Sequence, residues 1–122
     1  MALSDVHRTT FAALVETLVP AANHPGGTGA ALVAAVERRL EGDLAGEMPV
    51  LEQWLTGLNR EAFSVFSAEF AELFGSTRDE LLDRVEGGNY RANWEIEEMG
   101  VTPAEYFKKV VDWVADALEG RG

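Results

Sequence analysis

The sequence predicts an all-α protein, a compact bundle of five or six helices that forms a single domain over residues 1–122. Apolar residues recur three and four positions apart along most of the chain, which is the spacing of an amphipathic helix. No stretch alternates apolar and polar residues as a half-buried strand does. With 47% hydrophobic residues in a chain of 122, there is enough apolar material to bury one ordinary domain core.

Two helices are predicted in the first third of the chain. Ser4 or Asp5 can cap the first helix, and Pro20 ends it because proline disfavours helical backbone at the residue before it. Thr28 can cap the second helix, and Gly42 marks its end. The predicted inward positions of these two helices are Phe11, Leu14, Val15, Leu18, Val19, Leu32, Val33, Val36 and Leu40.

A third, longer helix is predicted from Pro49, a residue suited to the first turn of a helix. Its inward stripe consists of Leu51, Trp54, Leu55, Leu58 and Ala62. The near-helical spacing then continues, with a bend near Ser64 or Ser67, until Gly75 breaks it. The apolar residues of this continuation are Phe63, Phe66, Phe70, Leu73 and Phe74.

The last third of the chain contains two start signals. Residues 76–80 hold two overlapping capping boxes, which predict a short helix with Leu81, Leu82 and Val85 inside, closed by Gly87 and Gly88. Residues 90–100 are expected to form a short helix that carries Trp94. Residues 102–105 supply a cap, an N1 proline and an N3 glutamate in order, which predicts the last helix. Its core face is Phe107, Val110, Val111, Val114 and Leu118.

The charge of the chain limits the classes of partner. Ten basic residues against twenty-one acidic ones give a net charge of −11 and a pI near 4.5. Binding to nucleic acid or to an anionic membrane surface requires clustered lysine and arginine, so neither is expected. No apolar run is long enough to insert into a membrane. The first seven residues lack the basic region and apolar core of a secretory signal.

No catalytic, cofactor-binding or metal-binding residue is predicted. The chain has no cysteine and two histidines, His7 and His24, and neither histidine belongs to a Glu-x-x-His pair. Residues 26–29 are glycine-rich but lack the strand and the lysine of a phosphate loop, so they are interpreted as a turn. The acidic clusters at residues 79–83 and 95–98 are interpreted as solvated surface. This pattern is typical of a binding, structural or accessory protein rather than of an enzyme.

The aromatic residues of the last helix allow two interpretations. Trp113 lies off the main apolar stripe, and Tyr106 flanks that stripe. Either the helix is buried on two sides, or it presents these rings to a partner, since exposed aromatics are typical of interfaces.

Several segments in a fixed order resemble the gluconate 2-dehydrogenase subunit 3 family. They are Leu3-Ser4, FAALVETLVP at residues 11–20, Pro25-Gly26, VERRL at residues 36–40, FAEL at residues 70–73 and TRDELL at residues 77–82. The resemblance covers about residues 3–86, and its most specific part is the Leu-Val-Pro and Pro-Gly pair. The candidate partner-binding residues are Pro20, Pro25 and Gly26 from these segments, together with the aromatic residues Tyr106, Trp113 and Trp94, which lie beyond them.

The resemblance implies a small helical subunit of a flavin-dependent sugar, polyol or glycoside dehydrogenase. Such a subunit binds no cofactor itself and acts as a chaperone-like partner of a large FAD-containing subunit of the glucose–methanol–choline (GMC) oxidoreductase type. It supports folding, flavin loading or export of that subunit, and electrons often pass onward to a cytochrome c subunit. Many members of the family have a twin-arginine export signal ahead of the first helix, whereas this sequence starts with Met1 almost at the helix, and we expect a cytoplasmic protein. The alternative is a periplasmic location, reached by export with a twin-arginine signal that was removed here or is carried by the partner.

Two other functions remain open from the sequence. One is a free-standing acidic helical interaction module or regulator that binds a basic partner. Its affinity for that partner would fall steeply as the salt concentration rises. The other is a small-ligand binder that uses the aromatic interior as a pocket. A self-sufficient enzyme is the least expected, because no set of residues suited to catalysis was found.

Overall fold

A computed structural model of the protein describes residues 3–19 and 29–119, and these residues form an all-α bundle, as predicted. The α-helices are α1 (Asp5–Leu18), α2 (Gly29–Leu40), α3 (Met48–Phe66), α4 (Gly75–Glu86) and α5 (Pro103–Leu118). Short 3-10 turns occupy Ala45–Glu47, Phe70–Glu72 and Glu95–Met99. No strand occurs within the described ranges.

Helices α1 and α2 follow the sequence prediction closely. The Ser4 hydroxyl accepts a hydrogen bond from the His7 amide at 3.3 Å and so caps α1, which ends at Leu18. Arg8 joins the two helices through a two-pronged hydrogen bond to the Glu37 carboxylate, at 2.9 and 3.0 Å. The predicted cap Thr28 lies outside the described residues. The apolar positions predicted to face inward are buried, apart from a half-buried Leu18.

Helix α3 provides the centre of the core. Every residue of its predicted inward stripe is fully buried, and Pro49 lies in its first turn, as predicted. The Trp54 ring stacks on Phe107 of α5, with ring centroids 5.9 Å apart and planes 7° apart. Its indole N–H donates to the Pro103 carbonyl at 3.0 Å. One side chain of α3 therefore fixes the start of α5.

The predicted continuation of the α3 stripe is wrong at Phe63 and Phe74, whose side chains are 62% and 85% exposed. Helix α3 ends at Phe66 because Ser67 adopts a left-handed conformation with φ of 60°. The chain changes direction there, at one of the two predicted bend positions. Phe70 is buried beyond the turn, but the residues on either side no longer share one helical face.

The start of α4 also differs from the prediction. The helix begins at Gly75 with Phe74 as N-cap, and no side chain caps it, so the two predicted capping boxes do not form. Its inward residues Leu81, Leu82 and Val85 are buried as predicted. Gly87 is the C-cap, and Gly88 follows with φ of 80°, a conformation that glycine adopts without strain.

A buried carboxylate on α3 holds the segment between α4 and α5. Glu61 is fully buried and accepts hydrogen bonds from the Arg91 amide at 2.7 Å, the Ala92 amide at 3.0 Å and the Trp94 indole at 2.9 Å. The Trp94 ring lies over Gly57, where an added Cβ would stand 2.3 Å from a ring carbon. Trp94 precedes a 3-10 turn rather than lying within a helix.

Helix α5 begins with the predicted capping box. The Thr102 hydroxyl accepts from the Glu105 amide at 3.1 Å, and the Glu105 carboxylate accepts from the Thr102 amide at 3.3 Å. The helix contacts both α2 and α4. It is consequently buried on two sides, which was one of the two interpretations of its aromatic residues.

Replacing Gly57 with alanine tests the contact between α3 and Trp94. Three ring carbons lie within 2.9 Å of the new Cβ, so we expect overpacking to lower the free energy of unfolding by about 3 kcal/mol. The better helix propensity of alanine offsets about 1 kcal/mol, which leaves a net loss of about 2 kcal/mol in the free energy of unfolding. Urea denaturation followed by circular dichroism measures this. Gly75→Ala is the control, since nothing lies within 4 Å of its Cβ; equal stability of the two variants would contradict the contact.

The two start signals of the last third of the chain give a second prediction. Thr102→Ala should lower the free energy of unfolding by about 1 kcal/mol, because it removes the cap of α5. Ser76→Ala should change it by less than about 0.5 kcal/mol, because this exposed hydroxyl caps nothing. Paired urea titrations measure both changes. A larger loss in the Ser76 variant would show that α4 starts where the sequence pattern placed it.

Candidate functional site

The three aromatic residues predicted to contact a partner lie in the interior. Tyr106, Trp94 and Trp113 are 0%, 3% and 7% exposed. Tyr106 meets Trp113 edge to face at 5.7 Å, inside the space between α5 and its neighbours. Of the two interpretations of α5, burial on two sides is therefore the one observed for Tyr106 and Trp113, and Trp94 is buried in the segment before the helix. A partner-binding role for these three residues stays a prediction. The other candidates Pro20, Pro25 and Gly26 lie outside the described residues.

Tyr106 shows how completely this interior is closed. Burial, together with the charge of the nearby Glu47 carboxylate, raises the pKa of Tyr106 far above its ordinary value. The phenol stays protonated and donates to the Glu47 carboxylate at 3.2 Å. The Lys109 ammonium lies over the ring, 5.8 Å from its centroid, and 3.8 Å from the Glu47 carboxylate. Tyr106 is thus a neutral hydrogen-bond donor within the packing rather than a contact surface.

A surface groove between α1 and α3 offers a different site. It has a volume of about 440 Å³, and the segment that follows α3 contributes Glu69 to its lining. Two apolar side chains at this groove are strongly exposed, Phe63 at 62% and Val6 at 61%. Both belong to well-formed helices. The groove is lined by Val6, His7, Thr56, Asn59, Arg60, Phe63, Ser64 and Glu69.

The His7 ring on the α1 side of the groove is held by internal contacts. Its Nε2 atom lies 3.0 Å from the Thr56 hydroxyl of α3, and its Nδ1 atom lies 2.8 Å from the Ser4 hydroxyl. The Glu52 carboxylate is 3.4 Å from the same Nδ1 atom. Both ring nitrogens are thus occupied by neighbours within the chain.

The amide of Asn59 and the guanidinium of Arg60 are also engaged. The Asn59 amide group donates to the Thr10 hydroxyl at 2.8 Å and accepts from the Phe70 amide at 3.1 Å. Arg60 donates to the Glu95 carboxylate at 3.0 Å. These bonds join α3 to α1, to the turn after α3 and to the turn before α5. They hold the base of the groove in place, and the surface left for a ligand or partner to contact is mainly apolar.

The rim of the groove carries negative charge. Arg60 is the only lysine or arginine among the described lining residues, and its charge is balanced by Glu95. Glu69 forms no ion pair among the described residues. Its carboxylate accepts a hydrogen bond from the backbone amide of Glu72, in the 3-10 turn that follows. Asp5 beside Val6 is fully exposed and lies 3.6 Å from the Arg8 guanidinium, so its charge is balanced. Glu52 adds a further carboxylate near His7.

Among residues 3–19 and 29–119, no group of three or more histidine, aspartate or glutamate side chains has the geometry to hold a metal ion. No helix in these ranges is long and apolar enough to cross a membrane. Tyr106 is the one described group with a large pKa shift, and packing explains that shift.

Sequence reasoning missed the groove because it counted Phe63 as core. The information was present, since Phe63 follows Ala62 by one residue and one residue is about 100° of helix rotation. With Ala62 on the buried stripe, Phe63 must lie well to one side of it. The exposure of Val6 has a similar origin, because it lies outside the inward face of α1.

Comparison with known proteins agrees with the resemblance found in the sequence motifs. A family model described as gluconate 2-dehydrogenase subunit 3 matches residues 5–118, further along the chain than the motifs alone reached. Searches of curated proteins and of solved structures found no match. Because the matched region runs from the first helix to the last, the chain belongs to the gluconate 2-dehydrogenase subunit 3 family.

Proposed function

We propose that this chain is a non-catalytic small subunit of an FAD-dependent sugar or glycoside dehydrogenase, and that it supports folding, flavin loading or export of the large subunit. The family match over residues 5–118 is the observation that carries this proposal. The family is that of a small dehydrogenase subunit, which implies association with a larger dehydrogenase complex. The FAD, the GMC-type character of the large subunit and a further cytochrome c subunit are the finer parts of the proposal.

The chemistry of the described surface supports an accessory role. A general acid or base has to reach a substrate proton, either directly or through one water. In the groove, the His7 imidazole and the Asn59 amide are bound by neighbouring side chains or backbone groups instead. In this function the large subunit, which binds the flavin, carries out the redox step, and this chain contributes by binding the large subunit.

The net charge of −11 favours one alternative, a free-standing acidic module that binds a basic partner. The two functions differ in what the partner is and in how the complex is held. A permanent subunit buries a large, mainly apolar interface and resists salt. A regulator held by charge dissociates as ionic strength rises.

Co-expression with a flavoprotein encoded by a neighbouring gene tests the proposed function. We expect the two chains to co-purify in a fixed ratio. They should stay together in about 0.5 M salt, which is well above physiological ionic strength. Expression of the flavoprotein without this chain should lower its FAD content and its dehydrogenase activity several-fold. Absorbance at the flavin band and a dye-reduction assay measure both quantities.

The control is this chain purified alone, which should reduce no dye with any sugar. Turnover by the isolated chain that is lost in His7→Ala would contradict the non-catalytic assignment. A flavoprotein that is fully loaded and fully active without this chain would contradict the supporting role. Complex formation that disappears in high salt would favour the acidic module.

A further inference from the structure

We propose that the groove between α1 and α3 receives an apolar side chain of the large dehydrogenase subunit, flanked in that subunit by lysine or arginine. This inference rests on the proposed function and adds where the partner binds and what it presents. The groove comprises Val6, His7, Thr56, Asn59, Arg60, Phe63, Ser64 and Glu69, with a volume of about 440 Å³.

The apolar part of the inference comes from Phe63 and Val6. A phenylalanine ring that is 62% exposed and a valine that is 61% exposed stand at one concave surface. Large exposed apolar side chains around a pocket are typical of the central residues of protein interfaces. Since both residues belong to long helices, they are held in place before a partner arrives, which reduces the entropy lost on binding.

The polar contacts of the groove favour a protein over a small molecule. Sites for sugars or nucleotides combine an apolar wall with a few polar groups that converge on the ligand. The polar groups of His7, Asn59 and Arg60 are engaged within the chain, at distances of 2.8 to 3.1 Å. A ligand with many hydroxyls would lose its bonds to water and find few replacements. An apolar side chain has no such requirement.

The charge of the rim indicates which residues should flank the inserted apolar side chain in the large subunit. The Glu69 carboxylate at the edge of the groove is exposed and forms no ion pair among the described residues, and Glu52 adds a carboxylate beside His7. The exposed Asp5 carboxylate lies 3.6 Å from Arg8, and the positive charge of Arg60 is balanced by Glu95. The rim therefore has an excess of negative charge. Lysine or arginine next to the apolar anchor would complement it, while an acidic flank would be repelled.

A pair of matched variants tests the apolar anchor. Phe63→Gln removes the exposed ring of the groove, and Phe74→Gln removes an even more exposed ring, which does not line the groove. Both variants should fold, because both rings are largely in water. With the co-expressed flavoprotein as the binding probe, we expect Phe63→Gln to weaken binding at least about tenfold, as loss of a central interface residue does. Phe74→Gln should bind like the wild type.

A second pair tests the charge. Glu69→Gln removes the negative charge but keeps an oxygen that can cap the following turn, and Glu80→Gln removes an exposed charge on α4. We expect Glu69→Gln to weaken binding about two- to fivefold at low salt, and the difference from the wild type to vanish at high salt. Glu80→Gln should have no effect at either salt concentration.

Chemical protection locates the contact directly. The chain has no cysteine, so Ser64→Cys places a single thiol in the groove and Ser76→Cys places one on α4. Both serines are exposed. We expect the flavoprotein to slow alkylation of the thiol at position 64 at least about tenfold and to leave the thiol at position 76 unchanged, as measured by mass spectrometry of this chain.

Each other outcome overturns the inference in a distinguishable way. If the complex forms while the thiol at position 64 stays reactive and Phe63→Gln binds normally, the groove is wrong and the proposed function stands. If the wild type forms no complex, both are wrong. Protection at position 64 in the isolated chain, accompanied by a dimer in sedimentation, identifies a second copy as the occupant. Protection by FAD or glucose alone identifies a small ligand.

Discussion

The position of the last third of the chain depends on the carboxylate of Glu61. A buried carboxylate loses its hydration, and that cost is offset only when hydrogen bonds replace the water. Here two backbone amides and the Trp94 indole do so, at 2.7 to 3.0 Å. These bonds bring Trp94 over Gly57 and within 6.0 Å of the Trp54 ring, which in turn binds the Pro103 carbonyl. The segment before α5, and with it the start of α5, is thus fixed to α3 by one acid and two indoles.

The two sides of α3 have different functions in this arrangement. Residues 54, 57 and 61 face the aromatic interior, and residues 56, 60 and 63 line the groove on another side of the helix. Since the interior side is held by close contacts, the groove side cannot shift without disturbing them. Hydrogen bonds to α1 hold it from the other direction. A binding surface built on such a support loses little conformational entropy when a partner arrives, which is the physical advantage of preorganisation.

The sequence predicted those features that depend on nearby residues and missed those that depend on distant ones. Pro20 placed the end of α1, and the capping box at Thr102 placed the start of α5, because both signals act within one helical turn. Glu61 was not recognised, since its hydrogen-bond donors lie thirty or more positions further along the chain. The buried state of Tyr106 and Trp113 has the same cause: periodicity gives the face of a helix, but not how many neighbours cover it. The start of α4 was misplaced because a capping motif forms only if the backbone before it is extended at the right residue.

The contrast between Glu61 and Glu69 connects the fold to the proposed role. Both are acids at the end of α3 or just beyond it, yet Glu61 is fully buried and saturated with donors, while Glu69 is exposed without an ion pair among the described residues. An acid saturated from within stabilises the fold and has no capacity left for a visitor. An exposed acid next to the apolar side chains of the groove contributes little to stability, because water screens it, but it can select the charge of a partner that binds there. In the proposed role, the strongly acidic composition would act through a few carboxylates placed beside apolar surface, and the total charge of the chain would matter less than their positions.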